Sequence, residues 1–402
     1  MSIRPVATLL GLASLVGLAF GFGYVSYPLL HTPVEPVGSS QDVTSTEQNM
    51  PVYWEAWRLL ERDFLGAKPD ATTRTYGAIR GMVETFDDPY TYFVEPRPRE
   101  LERDNLAGKF GGIGANIELT PEGYVLRPVR GQPAERAGVQ DGDLLLLVDD
   151  QEITAAMSAD DVAALVRGPV GSEVTLVVRR SDSDEEVTLD IVRAEIQLPS
   201  VEWRMLEGAE NEHVGYIRHT LFTERSAGEM RQALTELQAQ GADRFILDLR
   251  GNPGGLVSAA VAVADLWLDD GVIFIEQKAS GAESVQIATS ETAAGDAPLV
   301  VIVDGGSASA SEILAGALQD HGRAVLVGEK TYGKGSVQLI HELADQSSLH
   351  ITNAQWLTPN RHRISENGLT PDVPVGSGED PLQAAVVVVE AASVAQAPTA
   401  TP

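Results

Sequence analysis

The sequence predicts a multi-domain α/β protein. Two stretches, 245–268 and 299–320, each join a short apolar strand, a glycine-rich loop and a helix, which is the repeating unit of an α/β layer. Between residues 108 and 194 the pattern changes to short strands and turns, and helical spacing of apolar residues precedes it. With 402 residues, of which 43% are hydrophobic, the chain has room for two or three domains.

Composition excludes several classes of partner and site. The formal net charge of −29 argues against nucleic acid and anionic membrane surfaces as partners. The absence of cysteine excludes disulfides, thiol catalysis and cysteine-based metal sites. The histidines form no recognisable metal-binding spacing, so the sequence predicts no metal site.

The N-terminus carries a membrane-length apolar run. Residues 6–25 are largely apolar, Arg4 precedes them and acidic residues follow, which predicts a single uncleaved anchor with the body of the protein outside the cytoplasm, periplasmic or extracellular. A cleaved signal peptide remains the alternative.

In the helical stretch that follows, Asp87 and Asp88 stand before Pro89, and turn chemistry explains them better than a metal site.

A tight turn of small residues, 304–310, joins the predicted strand Leu299–Val303 to the predicted helix Ser311–Asp320. Small residues let a backbone approach a ligand closely, and N–H groups at a helix start can stabilise a negative oxygen. A serine in this turn is therefore well placed to act as a nucleophile. Tight packing alone also favours such a turn, so the segment by itself leaves both interpretations open.

Lysine is scarce in this chain. There are only five lysines, and Lys334 lies between two glycines shortly after the predicted strand Ala324–Gly328. A lysine in a dry pocket can lose its proton near neutral pH, whereas an arginine cannot, so a Ser–Lys pair can support nucleophilic catalysis. A surface lysine in a glycine loop is the plainer interpretation of this segment alone.

Together, SASASEILAGALQD and GEKTYGKGSVQ resemble the C-terminal processing peptidases, or tail-specific proteases, of family S41. The resemblance implies a serine endopeptidase with Ser309 as nucleophile, Lys334 as base and Gln338 as the group that orients the lysine. It also implies an α/β body related to the crotonase and Clp protease fold, without a cofactor.

The motif LRGNPGG, which ends at Gly255, resembles the same family. The resemblance implies that the N–H groups of Gly255 and Ala310 hold the oxyanion. Two strand–loop–helix units side by side would aim N–H groups from both loops into one cleft. A phosphate-binding loop fits less well, because no Walker lysine follows.

Residues 108–194 resemble a PDZ domain. A glycine-rich loop comes first, followed by 133–138, the predicted strand 144–148 and the predicted helix Ala159–Val166. The resemblance implies a clamp for a free C-terminal carboxylate and an apolar pocket for the last side chain, so the partners would be polypeptides with free apolar C-termini. The clamp residues would be Gly111, Gly112, Ile113 and Gly114. A β-bulge or tight hairpin would explain GGIG alone.

Arg167 directly follows the predicted PDZ helix. It stands where gated members of the family have an arginine that touches the protease body, so a role in PDZ–protease coupling is a hypothesis. An arginine that complements the helix dipole explains the position equally well.

The predicted organisation has six parts: an anchor or signal sequence at 1–30, a linker at 31–50, a helical region at 51–107, a PDZ domain at 108–197, a peptidase core at 198–378, and a C-terminal helix with a disordered tail at 379–402. The predicted function is a serine endopeptidase that cleaves extracytoplasmic polypeptides near their C-termini. A membrane-tethered, non-catalytic PDZ adaptor or chaperone, a Ser-His-Asp hydrolase, and a lipid or carbohydrate hydrolase remain alternatives. A homodimer also stays open, since the sequence does not fix the oligomeric state.

Overall fold

The computed structural model describes residues 40–208, 213–289, 292–365, 367–376 and 378–396. These residues form two compact units, one ending at Thr75 and one beginning at Tyr76. Within the described ranges no helix is both long and apolar enough to cross a membrane. The predicted anchor at 1–30, the first part of the predicted linker, and residues 397–402 of the predicted tail lie outside the described residues.

The first unit contains helix α1 (Ser40–Asp63) and the start of helix α2 (Ala71–Glu84). Helix α1 begins inside the predicted linker 31–50, and Pro51 lies in its interior, so this part of the linker prediction is wrong. Once a helix has nucleated, each further residue adds at little cost.

The first part of the second unit contains, in chain order, β1 (Tyr92–Val94), α3 (Pro96–Ala107), β2 (Lys109–Gly112), β3 (Ala115–Thr120), β4 (Gly123–Pro128), α4 (Pro133–Ala137), β5 (Asp143–Val148), β6 (Gln151–Glu152), α5 (Ala159–Val166), β7 (Glu173–Arg179), β8 (Glu186–Val192) and β9 (Ala194–Gln197). An antiparallel sheet has the order β3-β4-β5-β7-β8, with β6 paired to β5. Its core includes Leu126, Val162 and Leu176. Strand β3 is an edge strand and is packed against α5.

The second part contains β10 (Val201–Met205), β11 (Val214–His219), α6 (Ser226–Ala239), β12 (Arg244–Asp248), α7 (Val257–Ala264), β13 (Val272–Lys278), β14 (Glu283–Ile287), β15 (Leu299–Val303), α8 (Ala310–Asp320), β16 (Val325–Gly328), β17 (Ser336–Glu342), β18 (Ser348–Leu357), β19 (Val373–Pro374) and α9 (Pro381–Gln396). The central sheet has the order β10-β11-β12-β15-β16-β19 and is parallel from β11 onward. A second sheet joins β1, β18, β13 and β14, and β17 pairs with β18.

The two predicted strand–loop–helix units are neighbours in the central sheet. Strand β15 has the predicted bounds and every residue in it is buried, as a central parallel strand requires. It pairs directly with β12, so the loops after both strands leave the sheet at the same edge. Helix α7 ends at Ala264 rather than at Leu268. Leu266, Trp267 and Leu268 are buried as the apolar pattern indicates, but they lie in a turn.

Candidate active site

Ser309 occupies the sharp turn between β15 and α8. Its backbone angles are φ 55° and ψ −114°, a strained combination for a residue with a side chain. The same strand-to-helix turn presents the nucleophilic serine in other hydrolases, because it pushes the hydroxyl out of the loop. Ser309 is half-buried, and the helix that starts at Ala310 directs its positive end toward it.

The loop after β12 is fastened to this turn by hydrogen bonds. Gly251 N–H donates to Asp304 Oδ1 at 2.9 Å, and Ala308 N–H donates to the Asn252 carbonyl at 3.0 Å. The Ser311 hydroxyl donates to the same carbonyl at 2.9 Å. These bonds fix the two loops relative to each other, as the pairing of their strands predicts.

Gly254 and Gly255 bring the β12 loop into contact with the Ser309 turn. Both have positive φ, 105° and 130°. A Cβ on Gly254 would lie 2.8 Å from Ser309 Cβ, and one on Gly255 would lie 2.2 Å from the Phe222 carbonyl oxygen. Among the described residues, neither Gly255 N–H nor Ala310 N–H has a hydrogen-bond acceptor. Two free donors at a helix start can stabilise a developing negative oxygen.

Lys334 and Ser309 line one pocket of about 280 Å³. Apolar side chains form much of its wall: Leu106, Leu256, Val257, Val337, Ile340 and Trp356. Burial lowers the pKa of Lys334 from its ordinary value of 10.5, while the carboxylate of Glu102 raises it to a smaller extent. The net shift favours the neutral amine, which is the form that can accept a proton.

Gln338 lines the same pocket, but its amide donates to the carbonyl of Tyr90. No hydrogen bond joins Ser309 Oγ to Lys334 Nζ in the part of the chain that the structure describes. The predicted Ser309, Lys334, Gln338, Gly255 and Ala310 are thus together in one place. The contacts between the three side chains are not those of a closed proton-transfer chain, and such contacts often tighten only when substrate binds.

The glycine-rich loop between β2 and β3 also has free donors. Ala134 N–H donates to the Ile113 carbonyl at 2.7 Å, and Gly168 N–H donates to the Gly111 carbonyl at 3.0 Å, which holds the loop in shape. The N–H groups of Ile113 and Gly114 have no acceptor among the described residues. A loop of this kind at the start of an edge strand can take a carboxylate, and the edge can pair with an added strand.

Comparison with known proteins places these features in a family. The model of Peptidase family S41 matches residues 213–375, and a PDZ domain model matches residues 124–180. The carboxyl-terminal-processing protease of Picosynechococcus sp. is 40% identical over 79% of this chain and 76% of that protein. The corresponding protease of Synechocystis sp. is 39% identical over 81% of this chain and 76% of that protein. The chain belongs to peptidase family S41.

This S41 peptidase is a serine protease of the carboxyl-terminal-processing type and carries a PDZ domain. The solved structure of the photosystem II D1 C-terminal processing protease is 32% identical, with a TM-score of 0.48, and the match covers 85% of this chain and 92% of that chain. Within the described residues, no group of three or more His, Asp or Glu side chains is placed to hold a metal ion.

Sequence reasoning missed Glu312, which is fully buried in the peptidase body. Its carboxylate accepts hydrogen bonds from the N–H groups of Ser309, Gly333 and Lys334 at 2.9, 2.8 and 2.9 Å, and from the Thr331 hydroxyl at 2.5 Å. Burial raises its pKa, and the four bonds oppose that shift. The spacing Ser309-x-x-Glu312, typical of a helix N-terminus, was the available signal.

Glu102 and His350 are two further residues of the S41 pocket that the sequence did not indicate. His350 is buried, its ring stacks on Tyr92 with centroids 4.5 Å apart, and its Nε2 lies 3.4 Å from Glu102 Oε2. Arg99 donates to the same carboxylate oxygen at 2.9 Å. Glu102 is in α3 and His350 in β18, so no local motif could have brought them together.

Arg167 does not cap the PDZ helix with its side chain. Its guanidinium lies 4.0 Å from the centroid of the Phe110 ring, and burial lowers its pKa, opposed by Asp104. The helix end is held by Arg193, which donates to the carbonyls of Val166 and Leu165 at 2.8 and 3.3 Å. The dipole explanation of Arg167 stays a prediction, since Arg167 directly follows the last residue of the helix. The coupling role remains a hypothesis.

Proposed function

We propose that this S41 peptidase cleaves polypeptides near their C-termini with Ser309 as nucleophile and Lys334 as general base, while its PDZ domain binds the free C-terminal tail. The observation that carries the proposal is the arrangement of one pocket. It holds Ser309 on a strained turn, a half-buried lysine, and two N–H groups without an acceptor among the described residues.

Acylation begins with proton transfer from the Ser309 hydroxyl to neutral Lys334. The serine oxygen attacks the carbonyl carbon of the scissile peptide bond, and the carbonyl oxygen becomes an oxyanion. The N–H groups of Gly255 and Ala310, at the positive end of α8, donate to that oxyanion. In hydrolases of known energetics, one such donor contributes about 3–4 kcal/mol to stabilising the transition state.

Collapse of the tetrahedral intermediate breaks the C–N bond. The Lys334 ammonium donates its proton to the leaving amine, which leaves an acyl ester on Ser309. Neutral Lys334 then takes a proton from a water molecule that attacks the ester, and the same two N–H groups hold the second oxyanion. Collapse of this second intermediate breaks its C–O bond to Ser309, the serine oxygen takes back the proton from Lys334, and the new C-terminal carboxylate leaves. Gln338 would orient Lys334 in this cycle by exchanging its bond to the Tyr90 carbonyl for one to the amine.

The PDZ domain supplies the preference for chain ends. A polypeptide tail would add to the free edge of β3, with its terminal carboxylate on the N–H groups of Ile113 and Gly114. Gly111 and Gly112 are the last residues of β2, directly before this loop, and a Cβ on Gly111 would lie 2.0 Å from the Gly168 carbonyl. Substrates would therefore be unfolded or flexible polypeptides with free, apolar C-termini.

Cleavage by the full-length protein tests the proposed pair directly. Wild type, Ser309→Ala, Lys334→Arg and the control Lys330→Arg are incubated with an unfolded polypeptide that ends in small apolar residues. Lys330 is exposed and four residues from Lys334, so its arginine variant should keep wild-type activity. Ser309→Ala and Lys334→Arg should lose at least about 10³-fold in kcat. An active Lys334→Arg enzyme would exclude the lysine as the base, because arginine stays protonated.

The tail-binding role has its own test. Two substrates of the same sequence are compared, one with a free C-terminal carboxylate and one with a C-terminal amide. The amide cannot accept the same charge-assisted bonds, so its KM should rise by about tenfold or more. Equal KM values for the two substrates would remove the carboxylate clamp from the proposal.

The location of the peptidase is part of the same proposal. The apolar run 6–25, preceded by Arg4, supports a single N-terminal anchor with the peptidase body outside the cytoplasm. The full-length protein in its native cells should stay with the membrane fraction through an alkaline wash, and protease added outside the cytoplasmic membrane should digest it. Release by the wash, or protection from the protease, would contradict this location.

A further inference from the structure

The turn that contains Asp88 and Tyr90 lies against the segment that carries Lys334 and Gln338. Tyr90 N–H donates to Asp88 Oδ1 at 3.1 Å and the Thr91 hydroxyl donates to Asp88 Oδ2 at 2.6 Å, as expected for turn chemistry. Thr352 N–H donates to the Thr91 hydroxyl at 3.1 Å, which fastens the turn to β18. The turn is thus held in place beside Lys334, although its sequence indicates only a loop.

Tyr90 touches the lysine-bearing segment at several points. Its ring centroid lies 5.4 Å from Lys334 Nζ, within the range of a cation–π interaction. Its carbonyl oxygen accepts the amide of Gln338. Burial raises the pKa of the Tyr90 hydroxyl, and the neighbouring Tyr332 raises it further. The Tyr90 side chain therefore stays protonated and neutral. Tyr90 therefore contacts Lys334, Gln338 and Tyr332.

We propose that Tyr90 is a positioning residue whose ring face stabilises the Lys334 ammonium that forms when the lysine accepts the Ser309 proton. The inference rests on the proposed Ser309–Lys334 pair. The described residues provide Lys334 Nζ with no hydrogen-bond acceptor, so its positive charge is stabilised by the aromatic face of Tyr90 and by the carboxylate of Glu102. In this role Tyr90 does for the lysine what a carboxylate does for the histidine of a Ser-His-Asp triad.

Other groups also face the lysine and must stay constant in any test. The titratable groups around Lys334, each from a packed element or its own segment, are Tyr90, Tyr92, Glu102, Glu312, Tyr332 and His350. Glu102 carries the opposing charge, with Arg99 bound to it. A change confined to the Tyr90 ring leaves the other five residues unchanged. The difference between two Tyr90 variants therefore isolates the contribution of the ring.

The pH dependence of kcat/KM is measured for full-length wild type, Tyr90→Phe and Tyr90→Leu between about pH 6 and pH 10, the range in which a depressed lysine titrates. The ring favours the ammonium, so losing it should lower the pKa of Lys334. Tyr90→Leu should therefore shift the acid limb to lower pH by about 0.5–1 unit and lower the plateau, because a weaker base accepts the proton less readily. Tyr90→Phe keeps the ring and should keep the limb of wild type. A Tyr90→Leu limb that coincides with wild type would overturn the inference.

A second variant separates the charge on the ring face from the change of side-chain shape in Tyr90→Leu. Placing 3,4,5-trifluorophenylalanine at position 90 keeps a ring of similar size but weakens the negative charge on its face. Relative to Tyr90→Phe, it should shift the acid limb in the same direction as Tyr90→Leu. An unshifted limb would show that the ring acts only by packing. If Lys334→Arg is active the proposed pair fails, whereas an inactive Lys334→Arg with unshifted Tyr90 variants rejects only the role of the ring.

Discussion

The buried carboxylate of Glu312 accepts a hydrogen bond from the backbone N–H of Ser309 at 2.9 Å. The same carboxylate oxygen accepts the N–H of Lys334, also at 2.9 Å. A single side chain thus fixes the backbone of the proposed nucleophile and of the proposed base. Ser309 can hold its strained φ of 55° because the bond to Glu312 and the start of α8 together determine its conformation.

Glu312→Gln should impair both stability and catalysis. An amide directs an NH₂ group at one of the N–H or O–H donors that now bind a carboxylate, which leaves a buried donor without a partner. We expect the free energy of unfolding to fall by about 1–3 kcal/mol. We also expect kcat to fall by about 10²-fold, because the pair loses its alignment. Urea denaturation and steady-state kinetics measure the two effects.

Glu329→Gln is the matched control, because Glu329 is exposed and lies close by in the chain. It should behave like wild type in both assays. A Glu312→Gln protein with wild-type kcat would mean that the carboxylate does not align the pair. A large kcat loss without a stability loss would instead point to a direct role for Glu312 in the reaction.

Gly255→Ala should reduce kcat with little change in KM. The added Cβ would meet the Phe222 carbonyl at 2.2 Å, so the backbone must move and take the Gly255 N–H out of line with the oxyanion. Loss of one oxyanion donor lowers kcat by about 10²–10³-fold. Gly251→Ala is the control, since Gly251 lies in the same loop with φ 67° and a Cβ there meets nothing within 4 Å. Similar kcat values for both variants would remove Gly255 from the oxyanion site.

Glu102→Gln should shift the pH profile of kcat/KM to lower pH. The carboxylate raises the pKa of Lys334, so its removal lets the lysine lose its proton at lower pH, by roughly 0.3–1 unit. Arg99 and His350, which also face Glu102, remain in the variant. Glu122→Gln, at the exposed turn before β4, should leave the profile unchanged. An unshifted limb in Glu102→Gln would mean that the titrating group is not Lys334.

The sequence predicts best where function and local structure coincide. The strand Leu299–Val303 and the helix Ala159–Val166 have the predicted bounds, because their apolar periodicity and flanking turns agree. The pocket contains Ser309, Lys334 and Gln338 together, as the family resemblance implies. Gly255 and Ala310 lie on the loops of adjacent parallel strands, which meet at one edge of the sheet. Their N–H groups have no acceptor among the described residues.

The remaining features depend on contacts that no local pattern encodes. Glu102 and His350 come from elements far apart in the chain, and Tyr90 reaches Lys334 only because its turn packs on β18. Arg193 donates to the end of the PDZ helix from a position 26 residues beyond Arg167, and no local pattern indicated this contact. Helix α1 begins at Ser40 and continues through Pro51, which the polar composition of the predicted linker did not indicate.

A buried histidine in the central sheet should make the stability of the fold sensitive to acid. His219 ends β11 and is fully buried, with Nε2 at 3.1 Å from the Ser226 hydroxyl. Its Nδ1 is buried without a partner among the described residues. Burial lowers the pKa of His219 from 6.5 to about 4, with the Leu221 backbone and, to a smaller extent, Glu229 acting in the other direction. The folded protein therefore holds this ring neutral at pH values where the unfolded chain would protonate it.

The free energy of unfolding should fall as the pH drops from about 6.5 to about 4, because in that window the unfolded state binds the His219 proton and the folded state does not. The full loss from this group is about 3 kcal/mol, and it levels off below the folded pKa. Urea denaturation at several pH values measures the slope for wild type, for His219→Gln, which cannot titrate, and for the exposed-site control His341→Gln. The slope should be smaller in His219→Gln and unchanged in His341→Gln. His219→Gln removes only the titration of residue 219. Equal slopes in all three proteins would therefore assign the acid sensitivity to other groups.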